Sequence, residues 1–123
     1  MGNLFDLSGR TAIVTGSSRG IGLAIAQILL SQGASVLVNG YDEAETAAAL
    51  KALREQYPQV GGERPRIAAL AGDVTDADLA RGLVIEAVRV FGHLDHLVCN
   101  AGIDIIKPAV EYTSEEWDRI LTV

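Results

Sequence analysis

The sequence predicts an α/β fold, the first half of a doubly wound parallel sheet with about four strands alternating with helices. Three observations carry this expectation. Short apolar runs, of the kind buried on both faces of a parallel sheet, alternate with stretches of helical periodicity. Each connection between successive runs is long enough to hold a full helix, which makes the strands parallel and the crossovers right-handed. The first run flows straight into a glycine-rich turn and a helix start, Thr11 to Gly22, around which the other elements are arranged.

In that opening unit Ala12-Ile13-Val14 is the strand. Glycine has no Cβ, so Gly16 and Gly20 let the backbone turn and let a ligand come close, while Gly22 lets the new helix press on the strand. The first helix runs from about Gly20 to Gln32, with Ile21, Ala24, Ile25, Ile28 and Leu29 at helical spacing and Gly33 as the stop. Val36-Leu37-Val38 is the second strand. Asp42-Glu43-Ala44-Glu45 reads as an N-cap with an acidic partner at the third helical position, opening an alanine-rich helix that runs to about Tyr57, before Pro58. Gln59 to Pro65, with Gly61-Gly62, reads as a surface loop. Arg66 to Ala71 is the third strand and Gly72-Asp73-Val74 its exit turn. Thr75 is expected to cap a third helix, whose apolar stripe is Ala80, Leu83, Val84, Ala87, Val88 and Phe91, ended by Gly92. Asp95 to Cys99 is the fourth strand and Asn100-Ala101-Gly102 its exit turn. Thr113-Ser114-Glu115-Glu116 is a capping box that starts a fourth helix.

At 123 residues, 49% of them hydrophobic, the chain is expected to form one domain, 1–123, with a packed core. The net charge of −6 and a pI near 4.7 exclude a basic nucleic-acid footprint, and an anionic membrane surface would repel such a chain. Any anionic ligand must therefore be held by local groups. Met1 to Asp6 lacks the basic start and apolar core of a signal peptide, and no apolar stretch approaches a membrane span. The single cysteine, Cys99, excludes an internal disulfide and fits a reducing, cytoplasmic setting. Lying in an apolar run, it reads as a small buried hydrophobe. No metal site is expected.

Ligands of open α/β sheets lie outside the carboxyl ends of the strands, which singles out four turns. At the first, unpaired amides of the opening helical turn and the helix dipole favour an anion such as a pyrophosphate, and Arg19 adds a positive charge. The spacing G-x-x-x-G-x-G is neither the commonest dinucleotide fingerprint nor a P-loop. After the second strand, an NAD site wants an acid for the ribose hydroxyls, whereas an NADP site wants a basic group. The tip reads Val38-Asn39-Gly40-Tyr41, without an acid, and Asp42 is better explained as a helix cap. With Arg19 nearby the pattern favours NADP, NAD being the alternative. Asp73 suits an adenine amino group and Val74 an apolar contact, although an Asx turn would also explain Asp73. Asn100-Ala101-Gly102 either ends a strand or leaves room for a ribose.

Thr15-Gly-x-x-x-Gly-Ile-Gly22, Asp73-Val74, Cys99-Asn-Ala-Gly-Ile103 and the run from Glu111 to Val123 resemble the short-chain dehydrogenase/reductase family, classical type, over about Leu7 to Val123. The opening Leu4 to Arg10 is similar, more loosely, to gluconate 5-dehydrogenases and related carbonyl reductases. The resemblance implies a Rossmann fold, a nicotinamide cofactor, and hydride transfer between that cofactor and an alcohol or ketone, in a homo-oligomer of two or four chains. It places Gly16, Ser18, Arg19, Gly20, Ile21 and Gly22 at the phosphates and Asn39 by the adenosine ribose. It places Asp73 and Val74 at the adenine, and Asn100, Ala101 and Gly102 by the nicotinamide ribose. The family usually has Asn where Cys99 stands, a loss expected to weaken packing more than chemistry.

The resemblance also implies an Asn directly after Val123, then a Ser, and a Tyr and Lys spaced Y-x-x-x-K. None of the three tyrosines, Tyr41, Tyr57 and Tyr112, has a lysine four positions on. The chain is accordingly expected to be an amino-terminal portion truncated before its catalytic residues and inactive alone. With no fifth strand beside the fourth, it is expected to self-associate through the Leu97-Val98-Cys99 edge. The alternative is a non-catalytic nucleotide-binding or interaction module. A flavin or S-adenosylmethionine site fits the Asp73 and Asn100 turns less well.

Overall fold

Strand β1 (Thr11–Val14) is buried along its whole length because it is paired on both sides. In the computed structural model, which describes residues 3–59, 65–103 and 105–123, its partners are β2 (Ser35–Val38) and β4 (His96–Val98). Strand β3 (Ile67–Ala69) pairs with β2, giving a parallel sheet in the order β3-β2-β1-β4. The crossovers are α1 (Gly20–Ser31), α2 (Glu43–Gln56) and α3 (Ala77–Phe91), and a 3-10 turn at Ala109–Glu111 leads to α4 (Ser114–Thr122). This is the predicted α/β half-sheet, and the predicted loop's residues 60–64 lie outside the described residues.

Alternate strand residues serve opposite faces, as the period of a strand requires. Ile13, Leu37 and Ala68 meet Leu83, Ala87 and Phe91 of α3 on one side. Val14, Val36, Val38 and Ile67 meet Ala26 and Leu30 of α1 and Leu53 of α2 on the other. The two cores leave β1, β2 and most of β3 buried between helices, which explains why the central strands read as unbroken apolar runs, while β4 stays largely exposed.

Several local expectations are corrected. The fully buried residues of α1 are Gly22, Ala26 and Leu30, and of the expected stripe Ile25 and Leu29 pack against the core while Ile21 and Ile28 are 75% and 63% exposed, because the helix rests on the sheet along the line of Gly22 and Ala26, whose small size permits close approach. Only Leu83, Ala87 and Phe91 of the expected α3 stripe are buried, and Val84 and Val88 sit at its margin. Helix α3 is capped by Asp76, which accepts from the Asp78 amide, not by Thr75. Thr75 is engaged elsewhere, donating both its amide and its hydroxyl to Asp73. The third and fourth strands are shorter than expected, and Cys99 is exposed because β4 is an edge strand that ends at Val98. The capping box of α4 is present with both of its bonds, Thr113 and Glu116 each accepting from the other's amide.

Asp95 fastens β4 to β1 at the start of the pair. Its Oδ2 accepts from the Thr11 amide at 2.8 Å and lies 2.9 Å from His93 Nε2, with Arg10 3.7 Å from Oδ1. The Thr11 amide above all, then the charges of His93 and Arg10, hold the carboxyl below the ordinary 3.8. Because the folded-state value is the lower one, this group's stabilisation is complete above the ordinary value and is lost as the pH falls through the folded value. Asp95→Asn is expected to flatten the acid limb of a stability-against-pH curve below about pH 4, measured by urea unfolding at a series of pH values.

Candidate functional site

The carboxyl ends of the four strands are stitched together by side chains more than by strand pairing. Asn39, 1% exposed at the tip of β2, accepts from the Gly16 amide through Oδ1 at 3.2 Å and donates from Nδ2 to the Leu70 and Gly72 carbonyls. Ser17, fully buried, donates to the Val14 carbonyl at 2.7 Å and accepts from the Asn39 amide at 3.0 Å. Thr15 Oγ1 accepts from the amides of Asn100 and Ala101, both at 3.0 Å. Asn100 Nδ2 in turn donates to the carbonyls of Thr15 and Gly16 at 3.1 and 3.0 Å. The glycine turn is therefore held from both neighbouring strand ends.

Helix α1 leaves this turn with its opening amides uncapped, since Arg19 at the N-cap makes no side-chain capping bond and its first turn carries no acid. Gly22 makes the departure possible. A Cβ there would stand 2.1 Å from the Gly16 carbonyl oxygen and 2.5 Å from Asn100 Nδ2, inside any tolerable contact. The helix axis thus starts directly behind the turn, and its dipole points into the space above it.

That space is a cleft of about 1010 Å³, and all twelve positions singled out in the sequence border it. They do so in different ways. Asn39 borders it with a side-chain amide already engaged by Gly16, Leu70 and Gly72. Asp73 presents a carboxylate whose Oδ1 is already taken in an Asx turn, and the Thr75 hydroxyl followed by the Thr75 amide lowers its pKa. Arg19 reaches out with its side chain 84% exposed. The far wall is α4, through Glu115, Asp118 and Arg119, which is anchored by Lys107 at 2.5 Å from Glu116. Among the described residues no group of three or more metal-ligating side chains occurs.

Sequence reasoning missed three participants. Thr15 and Ser17 flank a turn glycine with short hydroxyls, a signal for strand-end hydrogen bonding that the apolar run obscured. Glu45 was assigned to helix capping, and its amide does accept that role by donating to Asp42 Oδ2 at 2.7 Å. Its carboxylate instead leaves the helix end, accepting from Ser18 Oγ at 2.9 Å and lying 3.5 Å from Arg19 Nε. A cap motif does not say where its third residue points, so only the tertiary structure places Glu45 in the cleft wall.

A family model described as short chain dehydrogenase matches residues 10–123. The chain is 40% identical over 118 residues to a hydroxynaphthalene reductase-like protein, Arp2, from Metarhizium robertsii, covering 96% of this chain and 42% of that protein. It is 38% identical over 117 residues to a glucose 1-dehydrogenase from Gluconobacter oxydans, covering 94% and 41%. Among solved structures it is similar to a short chain dehydrogenase from Mycobacterium smegmatis, with a TM-score of 0.85 and 32% identity over 100% of this chain and 48% of that one. A short-chain dehydrogenase/reductase from Brucella melitensis, described as glucose/ribitol dehydrogenase, gives 0.82 and 33% over 96% and 47%. The chain thus spans less than half the length of the proteins it matches.

Replacing Thr15 by valine keeps the shape and removes the acceptor for two amides. Thr15→Val is expected to lower the unfolding free energy by about 1–3 kcal/mol, the cost of leaving buried polar groups unpaired, read as a fall in the urea midpoint at unchanged slope.

Proposed function

Because the chain belongs to the short-chain dehydrogenase/reductase family, we propose that it forms the dinucleotide-binding part of an oxidoreductase that acts on an alcohol or ketone. The observation that carries this reading is the uncapped first turn of α1 opening into a cleft that all four strand exits border. When bound, the nicotinamide supplies the hydride acceptor or donor. The chain's own residues bind and orient.

In this reading the backbone around Gly16, Ser18, Gly20, Ile21 and Gly22 takes the pyrophosphate. Asn39 holds the strand tip beside the adenosine ribose, Asp73 and Val74 meet the adenine, and Asn100 to Gly102 leave room for the nicotinamide ribose. Arg19 takes a 2′-phosphate, which makes NADP the preferred cofactor over NAD. A reductase-like protein and a dehydrogenase stand among the relatives, in keeping with transfer in either direction. No Y-x-x-x-K pairing occurs in the 123 residues, so the reading leaves proton exchange and substrate shape to residues other than these and expects no dehydrogenase activity from this chain alone. A cytoplasmic setting and a homo-oligomeric whole enzyme of two or four chains complete it.

Arg19→Ala is expected to weaken NADPH binding by about 1–3 kcal/mol and to leave NADH nearly unchanged, as read by titrating both cofactors against both proteins. Equal losses for the two would remove Arg19 from the 2′-phosphate. For assembly, Leu97 on the outer strand β4 is 60% exposed beside unpaired backbone, and such an edge templates pairing with another chain. Size-exclusion chromatography of the 123-residue chain is expected to show self-association. A monodisperse monomer with a sharp, high-temperature unfolding transition would show that the half-sheet suffices by itself.

A further inference from the structure

The acid absent from the tip of β2 enters the cleft from the next element. Glu45, in the first turn of α2, points its carboxylate at the loop carrying Ser18 and Arg19, and one oxygen, Oε1, accepts from Ser18 Oγ at 2.9 Å and forms an ion pair with Arg19, 3.5 Å from its Nε. Two features fix it there. The Glu45 amide is bound to Asp42, which sets the first turn of α2. Gly40 lets that turn close on the glycine loop, because a Cβ at position 40 would stand 2.4 Å from Thr46 Oγ1 and 2.6 Å from Ser18 Oγ. The Glu45 side chain is 37% exposed, less than half as much as its arginine partner, so the pair is partly sheltered by the cleft wall.

We infer that Glu45 is a specificity-determining residue, which sets how strongly the cleft prefers a dinucleotide with a 2′-phosphate over one with a 2′-hydroxyl. The inference rests on the dinucleotide reading above and deepens it. A 2′-phosphate and the Glu45 carboxylate are both anions that seek the same two donors, Ser18 Oγ and the Arg19 guanidinium. The phosphate either displaces the carboxylate from Arg19 Nε or takes the remaining guanidinium donors beside it, and in both cases it sits near Glu45 against like-charge repulsion. A 2′-hydroxyl, in contrast, donates to a carboxylate and leaves the pair in place. Arg19 thus draws the phosphorylated cofactor while Glu45 restrains the preference, and the selectivity belongs to the pair.

The test is a binding titration of wild type, Glu45→Gln, Arg19→Ala and the double variant with NADPH and NADH. Adenosine 2′,5′-bisphosphate and adenosine 5′-phosphate serve as competitors that carry only the discriminating end. Gln keeps the size of the side chain and its bond to Ser18 while removing the charge. Glu45→Gln is expected to tighten both 2′-phosphorylated ligands about three- to tenfold and to leave their non-phosphorylated counterparts unchanged or weaker. The gain is expected to shrink when Arg19 is already alanine, because interacting residues are non-additive. Binding with an unchanged ratio in Glu45→Gln, or a full gain in the Arg19→Ala background, overturns the inference and leaves the dinucleotide reading standing. Failure of wild type to bind any of the four ligands overturns that reading and the inference with it.

Discussion

The buried amide of Asn39 is the constraint on which the rest of the site depends. Strands β3 and β4 contribute only three residues each to the sheet, and backbone bonds carry the pairing a little further, from Leu70 to Val38, Gly72 to Gly40 and Thr15 to Val98. Asn39 adds side-chain bonds on one side, tying the glycine turn to the exit of β3, and Thr15 with Asn100 adds them on the other. No buried side-chain nitrogen or oxygen among the described residues, those of this clasp included, is left without a partner. A fully satisfied network is rigid, and a half-satisfied one would be worse than none. The amides at the start of α1 are held in one direction for this reason.

That rigidity answers a problem set by composition. A chain of net charge −6 has no general attraction for an anion, and the cleft itself carries Asp73, Glu115 and Asp118. Attraction has to come from fixed dipoles aimed at one place, supplemented by the Arg19 charge. The acids are partly occupied within the protein: Asp73 by Thr75, Glu45 by Ser18 and Arg19. Internal hydrogen bonds thus temper an acidic surface near the anion-seeking turn.

Much of this was legible in the sequence because periodicity and turn chemistry are local. The four strands, their parallel crossovers, the caps at Asp42 and Thr113, and the convergence of four turns on one cleft follow from residue spacing. What was not legible depended on partners distant in the chain. Cys99 sits in an apolar run yet is exposed, because an edge position is a property of the sheet, not of the run. Of the expected α1 stripe Ile25 and Leu29 do pack against the core, but Ile21, Ala24 and Ile28 are exposed, because helical spacing alone does not fix the rotation of the helix on the sheet. Gly22 and Ala26 face the sheet, where close approach matters more than side-chain volume. Thr75 looked like a cap until Asp73 claimed both its donors, and Glu45 looked like part of one until its carboxylate was placed beside Arg19.

The sheet order also carries a history of assembly. The Gly16 to Asn39 bond spans 23 residues and the Asn39 to Leu70 bond 31, whereas Thr11 meets Asp95 across 84. Closing a loop costs more entropy as it lengthens, and distant pairings reward the chain only after that cost is met. The β1-α1-β2-α2-β3 unit closes through short loops, and β4 can dock only onto a β1 already in place. On loop entropy the clasp between Asn100 and the glycine turn is expected among the last contacts to form, and the cleft with it. A nascent chain carrying only the first three strands has the anion-seeking turn but not the side chain that braces it.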